Sequence, residues 1–301
     1  MINPNWKGVF PAVTTQMHSD QSLDLDATAR HIEVLIQSGV QGLVMLGSLG
    51  ENTLLEPEEK RTVMRMTKEV AAGRVPVLSG VAEFSTAAAC RYSREMESMG
   101  IDGLMVLPAM VYKAQPEEAL AHFRTVARST GLPIIVYNNP LAYYVDITPT
   151  MFEELAAEEN LVAIKESSGD VRRVTDIINQ LGNRFTLFAG VDDLILESVL
   201  LGSEGWIAGT GLAFPKENQH LWNLAVAGQW EEARRLYRWF TPLLHLDIPI
   251  KFVQYIKLAI QECGLGAEWV RAPRLPLQGA ERERVLAIIH AGIESRPNLV
   301  L

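Results

Sequence analysis

Leu161-Val162-Ala163-Ile164-Lys165 runs into Glu166-Ser167-Ser168-Gly169-Asp170, a short apolar stretch that ends in an amine and then turns polar. A continuous apolar run of this length, bounded by a loop, reads as a parallel strand covered on both faces. Seven more such runs lie at residues 8–13, 42–46, 75–80, 103–107, 133–137, 185–189 and 205–208. Helical stretches alternate with them at 24–38, 57–72, 85–99, 116–130, 149–158, 171–181 and 193–201, and one at 216–227 follows the last strand. Pro57, Pro116 and Pro149 stand at helix starts and Gly73 just past an end. That asymmetry is expected, because proline lacks an N–H that the first turn does not need, while glycine tolerates the left-handed exit. Asp193 is a candidate N-cap.

Eight βα units without a linker predict an α/β chain folded as a closed (β/α)8 TIM barrel. An open doubly wound sheet would need a glycine fingerprint after its first strand, and Gly8-Val9-Phe10-Pro11 is not one. The barrel is assigned to residues 1–228 and a C-terminal extension to 229–301, within a single domain. In the extension Trp230, Ala233, Leu236, Tyr237 and Phe240 recur at helical spacing, as do Phe252, Tyr255, Ile256 and Ala259. These predict extra helices packed on the barrel. The acid-rich stretch 153–159 reads as a solvated helix face, and Met45, Met105 and Met110 as core filler.

Composition narrows the function. The 301 residues are 48% hydrophobic, enough for a large core and far from the composition of disorder. A formal net charge of −9 argues against nucleic acid or an anionic membrane as partner, since both want a basic face. A small anion needs only local donors. No apolar run reaches the roughly 18 residues of a membrane span, and residues 1–7 hold no apolar signal-peptide core. Cys90 and Cys263 have no CxxC or zinc spacing, which fits a reducing, cytoplasmic setting. The histidines are scattered without ligand spacing, so no metal is expected.

In such a barrel all strand C-termini meet on one face. Three sets of residues should therefore converge there: Lys165, Tyr137 in Tyr137-Asn138-Asn139-Pro140, and the loop Gly47-Ser48-Leu49-Gly50-Glu51. An ordinary lysine is neutral in only about one molecule in 2,500 at pH 7, and burial raises that fraction by lowering the pKa. A desolvated Lys165 would be a nucleophile; read blandly, it is a solvated strand-end residue or the partner of Glu166 or Asp193. Backbone N–H groups in a glycine-flanked turn make an anion nest, and Ser48 adds a hydroxyl. The same turn also suits a plain βα connection. A strand-end tyrosine can relay protons or simply pack. Together, amine, phenol and cradle suggest Schiff-base chemistry on a small 2-oxo acid. Two other readings stand beside it: a non-catalytic sensor of a 2-oxo acid, and a phosphate enzyme using residues 202–211 as its cradle.

The motifs taken in order resemble the dihydrodipicolinate synthase / N-acetylneuraminate lyase family of class I aldolases. The resemblance runs from Gly8-Val9-Phe10-Pro11-Ala12-Val13-Thr14 through the GxxGE-like loop, the YNxP-like turn and the lysine strand. It ends in Ala189-Gly190-Val191-Asp192-Asp193 and residues 202–210. It implies that Lys165 forms an imine with the substrate, without a metal or organic cofactor, and that Tyr137 is the general acid/base. It implies that Ser48 and the Ser48 and Leu49 amides hold the 1-carboxylate in the Gly47 loop, with Gly190, Asp192, Ile207 and Gly209 around the pocket. A homo-oligomer, tetramer or dimer, is implied as well.

Departures from the family pattern bear on the substrate. The synthases of the family follow YNxP with an arginine that grips the aldehyde partner's carboxylate, and here Leu141-Ala142-Tyr143-Tyr144 follows. Their second loop threonine is Leu49. Their paired tyrosines after strand four are absent, leaving Tyr112 as the substitute catalytic tyrosine. Several segments, among them Gly50-Glu51-Asn52-Thr53 and Pro242-Leu243-Leu244-His245-Leu246-Asp247, look closer to Δ1-pyrroline-4-hydroxy-2-carboxylate deaminases. The alternatives are a 2-keto-3-deoxy sugar acid dehydratase or aldolase and 4-hydroxy-tetrahydrodipicolinate synthase. Trp206 fits either the pocket floor or the core.

Overall fold

The computed structural model describes residues 4–299; Met1 to Asn3, part of the stretch read for a signal peptide, and Val300 and Leu301 of the extension lie outside the described residues. The first half of the barrel comprises β1 (Gly8–Val9), α1 (Leu25–Gln37), β2 (Leu43–Met45), α2 (Pro57–Ala71), β3 (Val77–Val81), α3 (Thr86–Ser98), β4 (Gly103–Val106) and α4 (Pro116–Ala127). The second half comprises β5 (Ile134–Asn138), α5 (Pro140–Tyr143), α6 (Pro149–Leu155), β6 (Leu161–Glu166), α7 (Arg172–Leu181), β7 (Thr186–Ala189), α8 (Ile195–Leu200), β8 (Gly205–Trp206) and α9 (Pro215–Val226). The extension adds α10 (Trp230–Leu244), α11 (Phe252–Glu262) and α12 (Gly279–Glu294).

The strands pair in parallel in the order β1-β8-β7-β6-β5-β4-β3-β2, and a parallel bridge between Ala12 and Val44 closes the ring. This is the (β/α)8 barrel that the alternation of runs predicts. β1 is shorter than residues 8–13 because Pro11 has no N–H to give the ladder. Phe10 and Ala12 still donate to Trp206 O and Ala208 O at 2.8 Å each, so the segment keeps its place beside β8. Trp206 belongs to the core: it is fully buried, and its indole N–H donates to Asp192 at 2.9 Å. Met45 and Met105 are buried and Met110 packs half-buried against the core.

Two local expectations fail for identifiable reasons. Asp193 caps no helix; its carboxylate pairs with His245 Nδ1 at 2.7 Å, tying the loop after β7 to the end of α10. The acidic stretch 153–159 is not wholly solvated, because Glu158 is buried and takes two bonds from Arg128, at 2.5 and 3.1 Å. Helix α12 has no counterpart among the expected elements, since its charged and apolar residues do not separate onto clean faces. It docks through Val285, Ile289 and Gly292, where a Cβ would come 2.7 Å from Leu243. Among the described residues no helix is long and apolar enough to cross a membrane.

The extension is also fastened by charge. Lys257 on α11 and Glu51 are both buried, and Lys257 Nζ donates to Glu51 Oε1 at 2.6 Å and to Trp269 O at 2.7 Å. Glu51 Oε2 accepts the Arg271 N–H at 3.1 Å. Burial pushes Lys257 below the usual lysine range, and the Glu51 carboxylate pulls it back. Removing the lysine leaves the buried Glu51 carboxylate with only the longer contact of the Arg274 guanidinium, at 3.5 Å, as counter-charge. Lys257→Met should therefore cost about 3–5 kcal/mol of unfolding free energy in a denaturant titration, and Glu51→Gln added to it should recover part of the loss.

Candidate active site

Strand register brings the chemistry together. Tyr137 on β5 and Lys165 on β6 are Cα partners, and Lys165 in turn pairs with Phe188 on β7. Paired positions in a ladder point to the same face, so phenol and amine both face the barrel interior at its C-terminal mouth. Lys165 Nζ lies 4.1 Å from the centre of the Tyr137 ring. Gly190 makes room for the lysine stem: a Cβ there would lie 2.8 Å from Lys165 Cε and 2.0 Å from Ser167 Oγ.

The next register pair, Asn138 and Glu166, faces the opposite way and explains the motif around Tyr137. Buried Asn138 accepts the Ile147 N–H at 2.8 Å and donates to Glu166 Oε2 at 3.0 Å and Asp146 Oδ1 at 3.2 Å. Arg173 grips the same Asp146 with two bonds of 2.6 Å. The segment that follows β5 is thus tied down at both ends. Asn139 caps α5 by accepting the Ala142 N–H at 3.0 Å, and its amide donates to the Tyr137 phenol oxygen at 3.1 Å. Pro140 starts the turn and Tyr144, at φ 60°, ends it. The single helical turn carries Tyr143 over the mouth. Its ring meets that of Tyr137 edge-on at 5.7 Å, and its hydroxyl is hydrogen-bonded to Ser48 Oγ.

The loop after β2 is held open by its own strain and by buried partners. Leu46 and Glu51 adopt φ of 54° and 55°, the left-handed region that costs a side-chain-bearing residue energy. Asn52 offsets this by donating to Leu46 O at 2.8 Å and Gly80 O at 3.2 Å, and Glu51 is anchored by Lys257. Glu51 N and Asn52 N turn back onto Ser48 O and Gly47 O, while Ser48 and Leu49 face the cavity.

A cavity of about 400 Å³ gathers Lys165, Tyr137, Ser48, Leu49, Gly190, Ile207 and Gly209. Three other expected residues lie elsewhere. Gly47 contributes a carbonyl to the turn but does not line the cavity. Asp192 is buried behind the wall, where it accepts N–H groups from Gly209 at 3.1 Å, Thr210 at 2.7 Å and Trp206. It braces the loops after β7 and β8 rather than meeting a substrate. Its carboxylate also occupies the amides that a phosphate cradle at 202–211 would need, so that reading fails by charge repulsion. Tyr112 is exposed, follows the positive-φ residue Val111, and donates its hydroxyl to Glu118 at 2.9 Å. It does not join the cavity of its own chain.

Tyr143 and Asp247 enter the cavity without having been singled out as site residues. Tyr143 stood in a segment, 141–144, read for its missing arginine and for a part in setting the substrate tail, without being named as a site residue itself. A spacing of six from Tyr137, together with the helix-starting Asn139-Pro140, was the available signal. Asp247 was hidden in the apolar run Leu243-Leu244-His245-Leu246-Asp247-Ile248, where a lone carboxylate marks a turn toward something polar. Neither Glu166 nor Asp193 takes the amine: Glu166 Oε1 accepts the Ser168 N–H at 2.6 Å, and Asp193 holds His245.

Burial dominates the electrostatics. It pushes Lys165 below the usual lysine range, against the attraction of Asp247, Tyr143 and Asp192. It pushes Tyr137 up to about 12, with Asn139, Ser167 and Ser48 easing the phenolate. A neutral amine beside a protonated phenol can attack a carbonyl while a proton is supplied to the oxygen that departs.

Comparison with known proteins agrees with this geometry. The model of the dihydrodipicolinate synthetase family matches residues 5–292. The 4-hydroxy-tetrahydrodipicolinate synthase of Moorella thermoacetica is 32% identical over 284 residues, covering 94% of this chain and 97% of that protein. The solved 4-hydroxy-tetrahydrodipicolinate synthase of Methylacidiphilum fumariolicum SolV superposes with a TM-score of 0.91 at 30% identity, over 96% of each chain. YagE of E. coli K12, described as a prophage protein of the dihydrodipicolinic acid synthase family in complex with pyruvate, gives 0.89 at 29% identity, over 96% of this chain and 99% of its own.

Two measurements test the site. The rate of borohydride trapping of pyruvate should rise with pH through an inflection below the ordinary 10.5 of lysine, as the buried amine loses its proton, and Lys165→Ala should trap nothing. Tyr143→Phe should keep its melting temperature but form the adduct about 10²-fold more slowly, the scale of a lost proton-transfer group.

Proposed function

Because the chain belongs to the dihydrodipicolinate synthetase family, we propose that this class I, lysine-imine enzyme is a Δ1-pyrroline-4-hydroxy-2-carboxylate deaminase. One observation carries the choice. Among the described residues lining the cavity Lys165 is the one cation, and the wall beyond it offers Asp247 and Asp193. The partner of the synthase reaction brings a second carboxylate, which would find no cation on that wall, because Leu141-Ala142-Tyr143-Tyr144 follows the YNxP-like turn without the arginine that clamps it in the synthases. A substrate with one carboxylate and a hydroxyl or amine at its far end suits the same wall.

In this reading Ser48 and the Leu49 amide hold the carboxylate. Lys165 attacks C2 of the cyclic imine, and the ring nitrogen leaves as a primary amine. Tyr137 moves protons as the linear imine forms, with Ser48 and Tyr143 as the hydroxyls that pass them on. The protonated imine acidifies C3, the resulting enamine expels the 4-hydroxyl as water, and hydrolysis releases ammonia and 2-oxoglutarate semialdehyde. The electron sink is the lysine imine itself, so this chemistry calls for no metal or organic cofactor. A homo-oligomer in a reducing, cytoplasmic compartment belongs to the same reading.

A second reading, 4-hydroxy-tetrahydrodipicolinate synthase, is favoured by the names of the relatives, and the sugar acid dehydratases share the first steps. Incubation with Δ1-pyrroline-4-hydroxy-2-carboxylate should release ammonia and 2-oxoglutarate semialdehyde in equal amounts, and the Lys165→Ala variant should release neither. Condensation of pyruvate with aspartate semialdehyde, without ammonia from the pyrroline, would replace the deaminase by the synthase.

A further inference from the structure

Among the described residues Asp247 is the one polar side chain that the C-terminal extension gives the cavity wall, and no hydrogen bond ties it into the fold. It sits in the single 3-10 turn His245–Asp247 that ends α10. The other acids around the mouth are engaged: Asp192 by backbone N–H groups, Asp193 by His245, and Glu166 by Asn138 and Ser168. No donor among the described residues serves Asp247, which is half-buried and faces the cavity it shares with Lys165. Its place is kept by Gly209, where a Cβ would come 2.4 Å from Asp247 Oδ1 and 3.0 Å from Leu49 Cδ1. The carboxyl therefore hangs over the strand-eight loop, beside the cradle expected to hold the substrate's carboxylate. Lys165, Asp192 and Asp193 are the charged groups whose fields reach it. Desolvation, with Asp192 and Asp193 repelling a negative charge, holds it well above the ordinary aspartate range, and the attraction of Lys165 only partly opposes this. A carboxyl shifted in this direction keeps its proton to higher pH than an ordinary aspartate, and with that proton it is a donor.

We propose that Asp247 is a catalytic acid for this enzyme, protonating the 4-hydroxyl of the imine-bound substrate as it departs. The proposal rests on the deaminase reading above, although a 2-keto-3-deoxy sugar acid would present the same hydroxyl. In the enamine that follows C3 deprotonation, the nitrogen lone pair re-forms the C=N bond to C2. The C2=C3 pair moves to C3=C4, and the C4–O bond breaks with its electrons on oxygen. Asp247 gives its proton to that oxygen, water leaves, and the carboxylate remains. It regains a proton from C5, and that loss carries the amine-bearing carbon toward the imine that is hydrolysed. No oxidant or reductant enters: the pyrroline and one net water become 2-oxoglutarate semialdehyde and ammonia.

Asp247→Asn keeps the shape and removes the acid. Wild type and variant are compared on three readouts: the pyruvate adduct at Lys165 after borohydride, turnover of the pyrroline and of a 2-keto-3-deoxy sugar acid, and turnover of the linear 2-oxo acid with fluorine at C4, a leaving group that departs without a proton. The variant should still yield the Lys165 adduct, which shows that it folds. It should lose at least about 10²-fold in expulsion of the hydroxyl and far less in expulsion of fluoride. Equal losses for hydroxyl and fluoride would make Asp247 a packing residue and overturn the proposal. So would hydroxyl turnover within about threefold of wild type, or loss of the adduct. A wild-type enzyme that forms the pyruvate adduct but expels the hydroxyl from neither substrate would overturn the functional reading, and this role with it. Sugar acid turnover without pyrroline turnover would overturn the deaminase alone and leave Asp247 its part.

Discussion

The Glu51–Lys257 ion pair ties the reactive end of the barrel to the extension that follows it. Glu51 ends the loop that carries Ser48 and Leu49, and Lys257 sits on α11. Two charges out of water are costly unless each satisfies the other, and here the N–H of Arg271, a longer contact from the Arg274 guanidinium and the carbonyl of Trp269 complete the set. The pair joins α11 to the strained loop, while His245 on Asp193 holds the end of α10, and with it the turn that carries Asp247, at the barrel mouth. The loop and the far wall of the cavity are thus each fastened to the extension by a polar contact.

Much of the barrel is legible in the chain because its signals are local. Runs such as Leu161 to Ile164 are apolar throughout, and helix starts carry Pro57, Pro116 and Pro149. The lysine at a strand end is equally plain, since burying an amine demands a reason. Positions set by pairs distant in sequence are far less so. Tyr143 reaches Ser48 across 95 residues, and Lys257 reaches Glu51 across 206. Asp192 was placed at the pocket by the family resemblance, yet its carboxylate points at backbone N–H groups behind the wall. Tyr112 stood in for a tyrosine pair, but the positive-φ residue before it and Glu118 after it turn its hydroxyl to the surface.

The site works by graded desolvation. Lys165 and Tyr137 lie face to face in a ladder register, and burial drives each toward its neutral form. Neutral amine and protonated phenol are the pair that carbonyl condensation needs, so one low-dielectric environment supplies both states. The hydroxyls of two further elements, Ser48 and Tyr143, are bonded to each other beside this pair and add no net charge; in the proposed reaction they pass the protons on.

Asn139 links two functions in one side chain. Its oxygen holds the single turn of α5 and its nitrogen holds the Tyr137 oxygen. The segment that shapes the entrance is therefore mechanically coupled to the acid at the centre. A change in the entrance that moved Asn139 would also shift the proton affinity of the phenol, so specificity and rate cannot drift separately through this turn. Divergence toward new substrates would pass more easily through the extension, where a residue such as Asp247 can be exchanged while the Tyr137–Asn139 bond stays in place.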